Sequence, residues 1–563
     1  MNLFVHCLGA DVRRFWPVIA GWLLVVAGMA SIDGIRPHLA ADPRLLGLLG
    51  VAGNVLWLAQ LLMLFLLIAL VVQAHPLVGS EAFWMTRPIP PATLLACKLT
   101  LLGIVMVAAP AIAEIVLMAV YRVPAKPAAF VAVDVALTQA AFLILLMTAA
   151  ALTRNLPGFA LLCGSAIGLI AIALSIAIAV LMARDDFSTM TYVLVSTSEP
   201  MPSGEDPTAG FLWNVLLPAI GLAVLAVQYR SRSRVRASAL GVAGVLLASA
   251  IVHAWPWPVL APRVLVPDWA RAASALRLSA DPGTVDSSHE QAFARRTPWR
   301  LIRARVHLNG IESGWSATAA LMNASIQMSD GSVLPTERGG FPADVPVDAE
   351  EESPQRLVMR KLLGVGRVIE PFPPKAESAV VFVVRDVEAR GSQPRTGEYR
   401  GRFQVALTHH EIEATLPLRA GAGHQSGAYR FVLDSVDRAR GGAVALIARE
   451  SRALSRFDRR PGAFFRFYLR NQSQSSAIVG NAIDVREVPF LSQFMPLSFG
   501  YSVETMGFMA RGLMISFSPT AGIQGESMPI NDAWIAGAEL VIVRTTREGS
   551  VQRELDITEF PIG

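Results

Sequence analysis

The sequence predicts an α-helical polytopic membrane domain of about seven transmembrane helices, followed by β-rich extracytoplasmic domains of the β-sandwich kind. Three observations predict it. The 563 residues are 53% hydrophobic and only 17% charged, with mean hydropathy +0.46, whereas soluble domains carry about a quarter charged residues. Apolar runs of spanning length fill residues 1–262. After Pro258 they give way to short runs rich in Val, Phe and Tyr, punctuated by Gly, Pro and Ser.

A helix needs about 17 to 25 apolar residues to cross the hydrocarbon. Seven runs qualify, at roughly 15–32, 45–73, 95–121, 128–152, 158–182, 211–229 and 237–257. The second is long enough to tilt, or to begin in the interface. Residues 184–210 form a polar, proline-containing loop, and Trp255-Pro256-Trp257-Pro258 fits an interfacial aromatic anchor. The first run follows Arg13-Arg14 and contains Gly28-Met29-Ala30, a loose match to a signal cleavage site. It is longer than a signal core and more spans follow it, so it is predicted to stay as an anchor.

Lys and Arg in short loops set the orientation. With the N-terminus in the cytoplasm, the inner loops hold Arg13, Arg14, Arg87, Lys98, Arg154, Arg230, Arg232, Arg234 and Arg236. The outer loops hold Arg36, Arg44, Arg122, Lys126 and Arg184. Nine against five favours the N-terminus inside, and the YRSRSRVR cluster decides it. The chain is therefore expected in the cell inner (cytoplasmic) membrane, with everything past residue 262 outside the cytoplasm. Arg230, Arg232, Arg234 and Arg236 are predicted to face anionic lipid, at about 1 kcal/mol per charge.

The C-terminal part reads as β. RLIRARVHL (300–308) alternates, and AVVFVVRDVEA (379–389), YRGRFQVALT (399–408), AYRFVLDSV (428–436) and AVALIARE (443–450) are strand-like. AELVIVRTT, Arg547-Glu548-Gly549 and SVQRELDI suggest a terminal hairpin. EESPQRLVMRKLLG (351–364) is predicted helical. Two β-rich units, 263–415 and 416–563, fit domain size. Cys7, Cys97 and Cys163 all precede them, so no disulfide can staple the β-rich part.

Between the second and third runs lies PLVGSEAFWMTRPIPPATLLACKL (76–99), an unusual connector. Pro88, Pro90 and Pro91 fix φ and disfavour helix just before them. Phe83 and Trp84 offer apolar anchors of the kind that dominate protein contacts, and Arg87 can fork onto a carboxylate. A plainer reading puts both aromatics in the headgroup zone and Arg87 on lipid phosphate. The pattern Gly79-x-x-Ala82-Phe83-Trp84-x-Thr86-Arg87-Pro88-Ile89-Pro90, followed by Leu94-Leu95 and Lys98, resembles a cytoplasmic segment of bacterial ABC transporter type 2 permeases. The family's six helices, cytoplasmic N-terminus and short loops are also similar to residues 1 to about 230, less than half of the chain. The resemblance implies that Glu81, Phe83, Trp84, Thr86, Arg87 and Pro88 couple to a separate cytoplasmic ATPase subunit. It also implies a homo- or heterodimeric permease. A seventh span and a large outer domain depart from the family pattern.

No GxxxxGK[ST], HExxH, CxxC or GxSxG occurs. The sequence therefore predicts no catalytic residue, no cofactor and no metal, and the ATPase must come from a partner. Membrane lipids are expected partners and nucleic acid is not, because the densest arginine cluster lies at the membrane face. Glu114 and Asp134, late in the third run and early in the fourth, are polar groups within spans, for which an ion relay weighs less than structural pairing. In LTHHEIEATL (407–416), His409, Glu411 and Glu413 share a strand face to which His424 could return, but no spacing there matches a metal template. The alternative function is a non-transporting membrane-anchored scaffold that presents β-domains.

Overall fold

The computed structural model describes residues 3–39, 43–74, 90–153, 155–183, 207–231, 233–254, 268–290, 299–328, 331–335, 341–343, 354–369, 379–385, 396–438, 443–454, 463–484, 507–518 and 530–561. Its N-terminal part is helical: α1 (Leu3–Ile35), α2 (Pro43–Gln73), α3 (Pro91–Leu102), α4 (Ala109–Val120), α5 (Ala125–Leu152), α6 (Leu156–Ala183), α7 (Pro207–Ser231) and α8 (Arg234–Ala254). A 3-10 turn, Arg36–Leu39, follows α1, and a π-helical turn, Gly103–Ala108, joins α3 to α4 into one continuous helix. Among the described residues five helices are long and apolar enough to cross a membrane, namely Leu3–Leu39, Gly47–Gln73, Pro91–Val120, Ala125–Leu152 and Arg234–Val252.

Prolines set several of these boundaries. Pro91 opens α3 at a first-turn position where a missing N–H costs nothing, and Pro124 precedes α5 with extended ψ of 146°. The helices pack on Trp22, Leu67, Ile68, Leu102, Met147, Phe159 and Leu225, all buried. Leu24, Leu48, Leu161 and Val235 stay exposed on the outside, as expected for helices whose outer solvent is lipid.

The C-terminal part is an antiparallel β-sheet domain. It begins with α9 (Trp269–Ala275) and a three-stranded sheet of β1 (Arg277–Glu290), β2 (Trp299–Asn309) and β7 (Ala379–Arg385). The larger sheet runs β4 (Val333–Pro335), β3 (Trp315–Met328), β8 (Thr396–Pro417), β15 (Ala538–Pro561), β12 (Ala463–Asn471), β13 (Ser476–Asp484), β14 (Gly507–Phe517), β11 (Val444–Leu454), β10 (Tyr429–Arg438) and β9 (Gly423–Ser426). Short strands β5 (Phe341–Ala343) and β6 (Arg367–Ile369) attach to β3 and β13. β13 changes neighbours part-way: Ser476–Gly480 pair with β12, and Asn481–Asp484 with β14.

Alternation explains how this sheet is covered. On β12 and β15, Phe467, Leu469, Leu540 and Ile542 face a core shared with Phe431, Leu446 and Ile515. Their neighbours Tyr468, Val541 and Val543 face the opposite way, onto Met359 and Leu363 of α10 (Pro354–Leu363). Successive strand residues point to opposite faces, so β12 and β15 are buried on both.

Two strand expectations change. The terminal segment is not a hairpin but one strand, β15, paired along its length with β8. The Arg547-Glu548-Gly549 step that suggested a turn is a bulge, where Gly549 follows Arg547 directly in the register. A side chain at Gly549 would stand 3.3 Å from the Trp269 indole, so glycine there also permits a close approach. YRGRFQVALT and LTHHEIEATL likewise form a single strand, β8, which runs through position 415.

Candidate functional site: the junction between helices and β-domain

The α4–α5 turn is where the two parts of the molecule meet. Arg122 adopts φ +56° there, and Val123 N bonds back to Met118 O, closing the end of α4. The last carbonyls of a helix lack partners within it and carry the negative end of its dipole. Here the β-domain supplies the donors. Arg430 donates to Tyr121 O at 2.9 Å and Gln425 to Arg122 O at 3.0 Å. Two turns deeper, the Glu114 carboxylate accepts the Phe508 amide at 2.7 Å.

Apolar contacts fill the space between these bonds. Met118 and Val131 pack with Ala453, and the Phe508 ring lies tilted against the Tyr121 ring, 5.2 Å between centroids. The Tyr121 hydroxyl donates to Gly34 O at 3.1 Å, tying α1 to the same corner. Burial pushes that phenol up to about 12, only partly offset by Arg449, so it remains a donor. Arg449 donates to His38 Nδ1 at 2.7 Å and pairs with Asp434.

The strands that make these contacts are stiffened from behind. On β11, Arg449 and Ala453 look toward the helices, while the intervening Glu450 looks into the β core. Glu450 is fully buried between Arg452 and Arg511, and Arg452 also lies over the Tyr429 and Phe465 rings. A paired, hydrogen-bonded triad is how a buried charge becomes tolerable.

The opposite end of the helices, where α1 begins, holds a second polar group. Lys98 is fully buried and donates to Val71 O, with Asp11 of α1 the opposite charge nearest in effect. Tyr229 of α7 is buried beside them, and Gln73 bonds Thr153 at 3.0 Å. Lys98 entered the sequence reading only as the last position of the loop motif and as an inner-loop charge. Its neighbour Asp11 was missed because the first span was expected to start at residue 15, whereas α1 starts at Leu3.

Glu81, Phe83, Trp84, Thr86, Arg87 and Pro88 lie outside the described residues. Glu114 sits at the junction, and Asp134 is buried in α5 with its carbonyl accepting the Thr138 hydroxyl. Arg230, Arg234 and Arg236 are exposed at the α7–α8 turn, and Arg232 lies outside the described residues. In the β8 segment, Glu411 and Glu413 both meet Arg544, His424 stands 4.0 Å from Glu413, and His409 packs on Trp315. A guanidinium at the centre makes this a poor cation site. Among the described residues no group of three or more His, Cys, Asp or Glu could hold a metal ion.

Comparison with known protein families, with curated proteins and with solved structures finds no match.

Proposed function

We propose that the chain is the membrane-spanning permease subunit of an ABC-type transporter, coupling a separate cytoplasmic ATPase to movement of a substrate. The observation that carries the reading is the continuous helix Pro91–Val120. It begins three residues after the Thr86-Arg87-Pro88 segment and ends at the carbonyls gripped by Arg430 and Gln425. A push on the segment at one end would reach the β-domain at the other through a single stiff element.

The proposed topology has seven spans, adding α6 and α7, helices of 28 and 25 residues, to the five apolar ones. Docking of the β-domain beside the end of α1 fits an odd number of crossings before residue 263. The N-terminus would then be cytoplasmic and the β-domain, read as sandwich-like, extracytoplasmic. Arg230, Arg232, Arg234 and Arg236 would meet anionic lipid on the cytoplasmic face. The working assembly would be a dimer or heterodimer with its ATPase subunits.

The test is recovery of an ATPase on purification at equal expression. Arg87→Glu and Trp84→Ala should insert normally and lose it, the latter at about 2 kcal/mol or more if Trp84 is a contact centre. Arg122→Ala, at the far end, should keep it. Equal recovery from every variant sinks the reading in favour of the membrane-anchored scaffold.

A further inference from the structure

The π-helical turn Gly103–Ala108 has a cause that can be read from covalent chemistry. Ala109 N bonds to Ile104 O, five residues back instead of four. In that register the carbonyl of Val105 should receive the amide of residue 110, which is proline and has no N–H. The indole of Trp22, reaching across from α1, fills the vacancy: Nε1 donates to Val105 O at 3.0 Å, and both residues are buried. In the ordinary α register Ala109 N would move to Val105 O. Trp22 would then lose its acceptor, and Met106 O would be left facing the nitrogen of Pro110.

We infer that Trp22 and Pro110 together form a register switch in this helix, and that the π register is what aims Glu114 at the β-domain. One residue more or less in a helix turns everything beyond it by about 100° and moves it by about 1.5 Å. The α3 half is held by buried Lys98, so the α4 half takes up the rotation. Glu114, whose one carboxylate oxygen meets the Phe508 amide, is carried away from the sheet when the register reverts. π turns recur at functional sites. The inference stands on the helix geometry and needs no ATPase.

The test is residue-resolved hydrogen exchange on the full-length protein in lipid nanodiscs. Trp22→Phe keeps the ring and removes the donor. Pro110→Ala restores the main-chain N–H, so Met106 O gains its donor in the α register and every main-chain carbonyl of that turn is bonded there. Both should raise exchange of the Phe508 amide by about tenfold, as Glu114→Ala does by deleting the acceptor. The Leu513 amide, in the same strand but within the β core, should keep its protection. Phe508 protected as in the wild type in both Trp22→Phe and Pro110→Ala overturns the switch. If Trp22→Phe instead loosens the whole bundle, Pro110→Ala decides: raised exchange at Phe508 alone supports the switch, and unchanged exchange rejects it.

Discussion

The two ends of the Pro91–Val120 helix handle polar groups in opposite ways. At one end Lys98 is satisfied by neighbours on α1 and α2, within the bundle. At the other, Glu114, Tyr121 and Arg122 are satisfied by Phe508, Arg430 and Gln425, some 300 to 400 residues away in the chain. The first end is therefore as stable as the helix bundle. The second lasts only while the β-domain remains docked and folded. Undocking the second end should therefore leave the first folded.

The largest break in that contrast is Lys98→Met, which keeps the volume but removes the buried donor to Val71 O and the positive charge that acts on buried Asp11. We expect a loss of about 3 to 5 kcal/mol, seen as a fall in melting temperature of the full-length protein in detergent. The Asp11→Asn, Lys98→Met double variant should recover part of it. A single variant as stable as the wild type would show that Asp11 and Lys98 do not depend on each other.

Acid should act on the other region. His410 is buried between the Ser316 hydroxyl, 2.7 Å from Nε2, and the Thr545 hydroxyl, 3.0 Å from Nδ1. Burial, with Arg466 adding, pushes its imidazole down to about 3. The unfolded chain takes up this proton near pH 6.5 and the folded one does not. The neutral imidazole's contribution is thus complete above pH 6.5 and is lost progressively toward pH 3, at a slope approaching about 1.4 kcal/mol per pH unit. Melting followed by β-type circular dichroism should fall with pH in the wild type and lose part of that slope in His410→Gln.

The smallest effects sharpen the picture at the junction. Arg430→Ala removes a charged donor from Tyr121 O and should cost about 1.5 to 3 kcal/mol of docking, against about 0.5 to 1.5 for Gln425→Ala. Limited proteolysis near Arg122 should rank them in that order, with helix-bundle melting unmoved. Equal cleavage of both variants and wild type would mean that the apolar contacts of Met118 and Val131 carry the docking alone.

What the sequence disclosed follows from how local its signals are. The third and fourth runs were legible as helices, but α3 and α5 begin at Pro91 and Ala125, ahead of the 95 and 128 expected. Strand periodicity was legible, but continuity was not. β8 carries a register shift at Glu413, which breaks the alternation, and Gly549 mimics a turn within β15. His410 was passed over in favour of His409, because which of two adjacent histidines faces inward depends on that register. The junction was invisible for a simpler reason. Tyr121, Gln425, Arg430 and Phe508 are unremarkable in sequence, and only folding brings them together. Trp22 looked like one more apolar residue of a span, although Pro110 five residues after Val105 marks where a donor is missing.

The lengths of β8 and β15, 22 and 24 residues, have a mechanical consequence. At about 3.3 Å per residue a straight strand of this size reaches roughly 70 Å. The Pro417 end of β8 lies beside β9, whose Gln425 touches the helices, while its Thr396 end pairs with β3 and the end of β15. Among the described residues the pair forms a spar tied to the helices through β9, at its Pro417 tip. A small tilt of the α4–α5 corner would sweep the distant Thr396 tip through a larger arc than the corner itself travels.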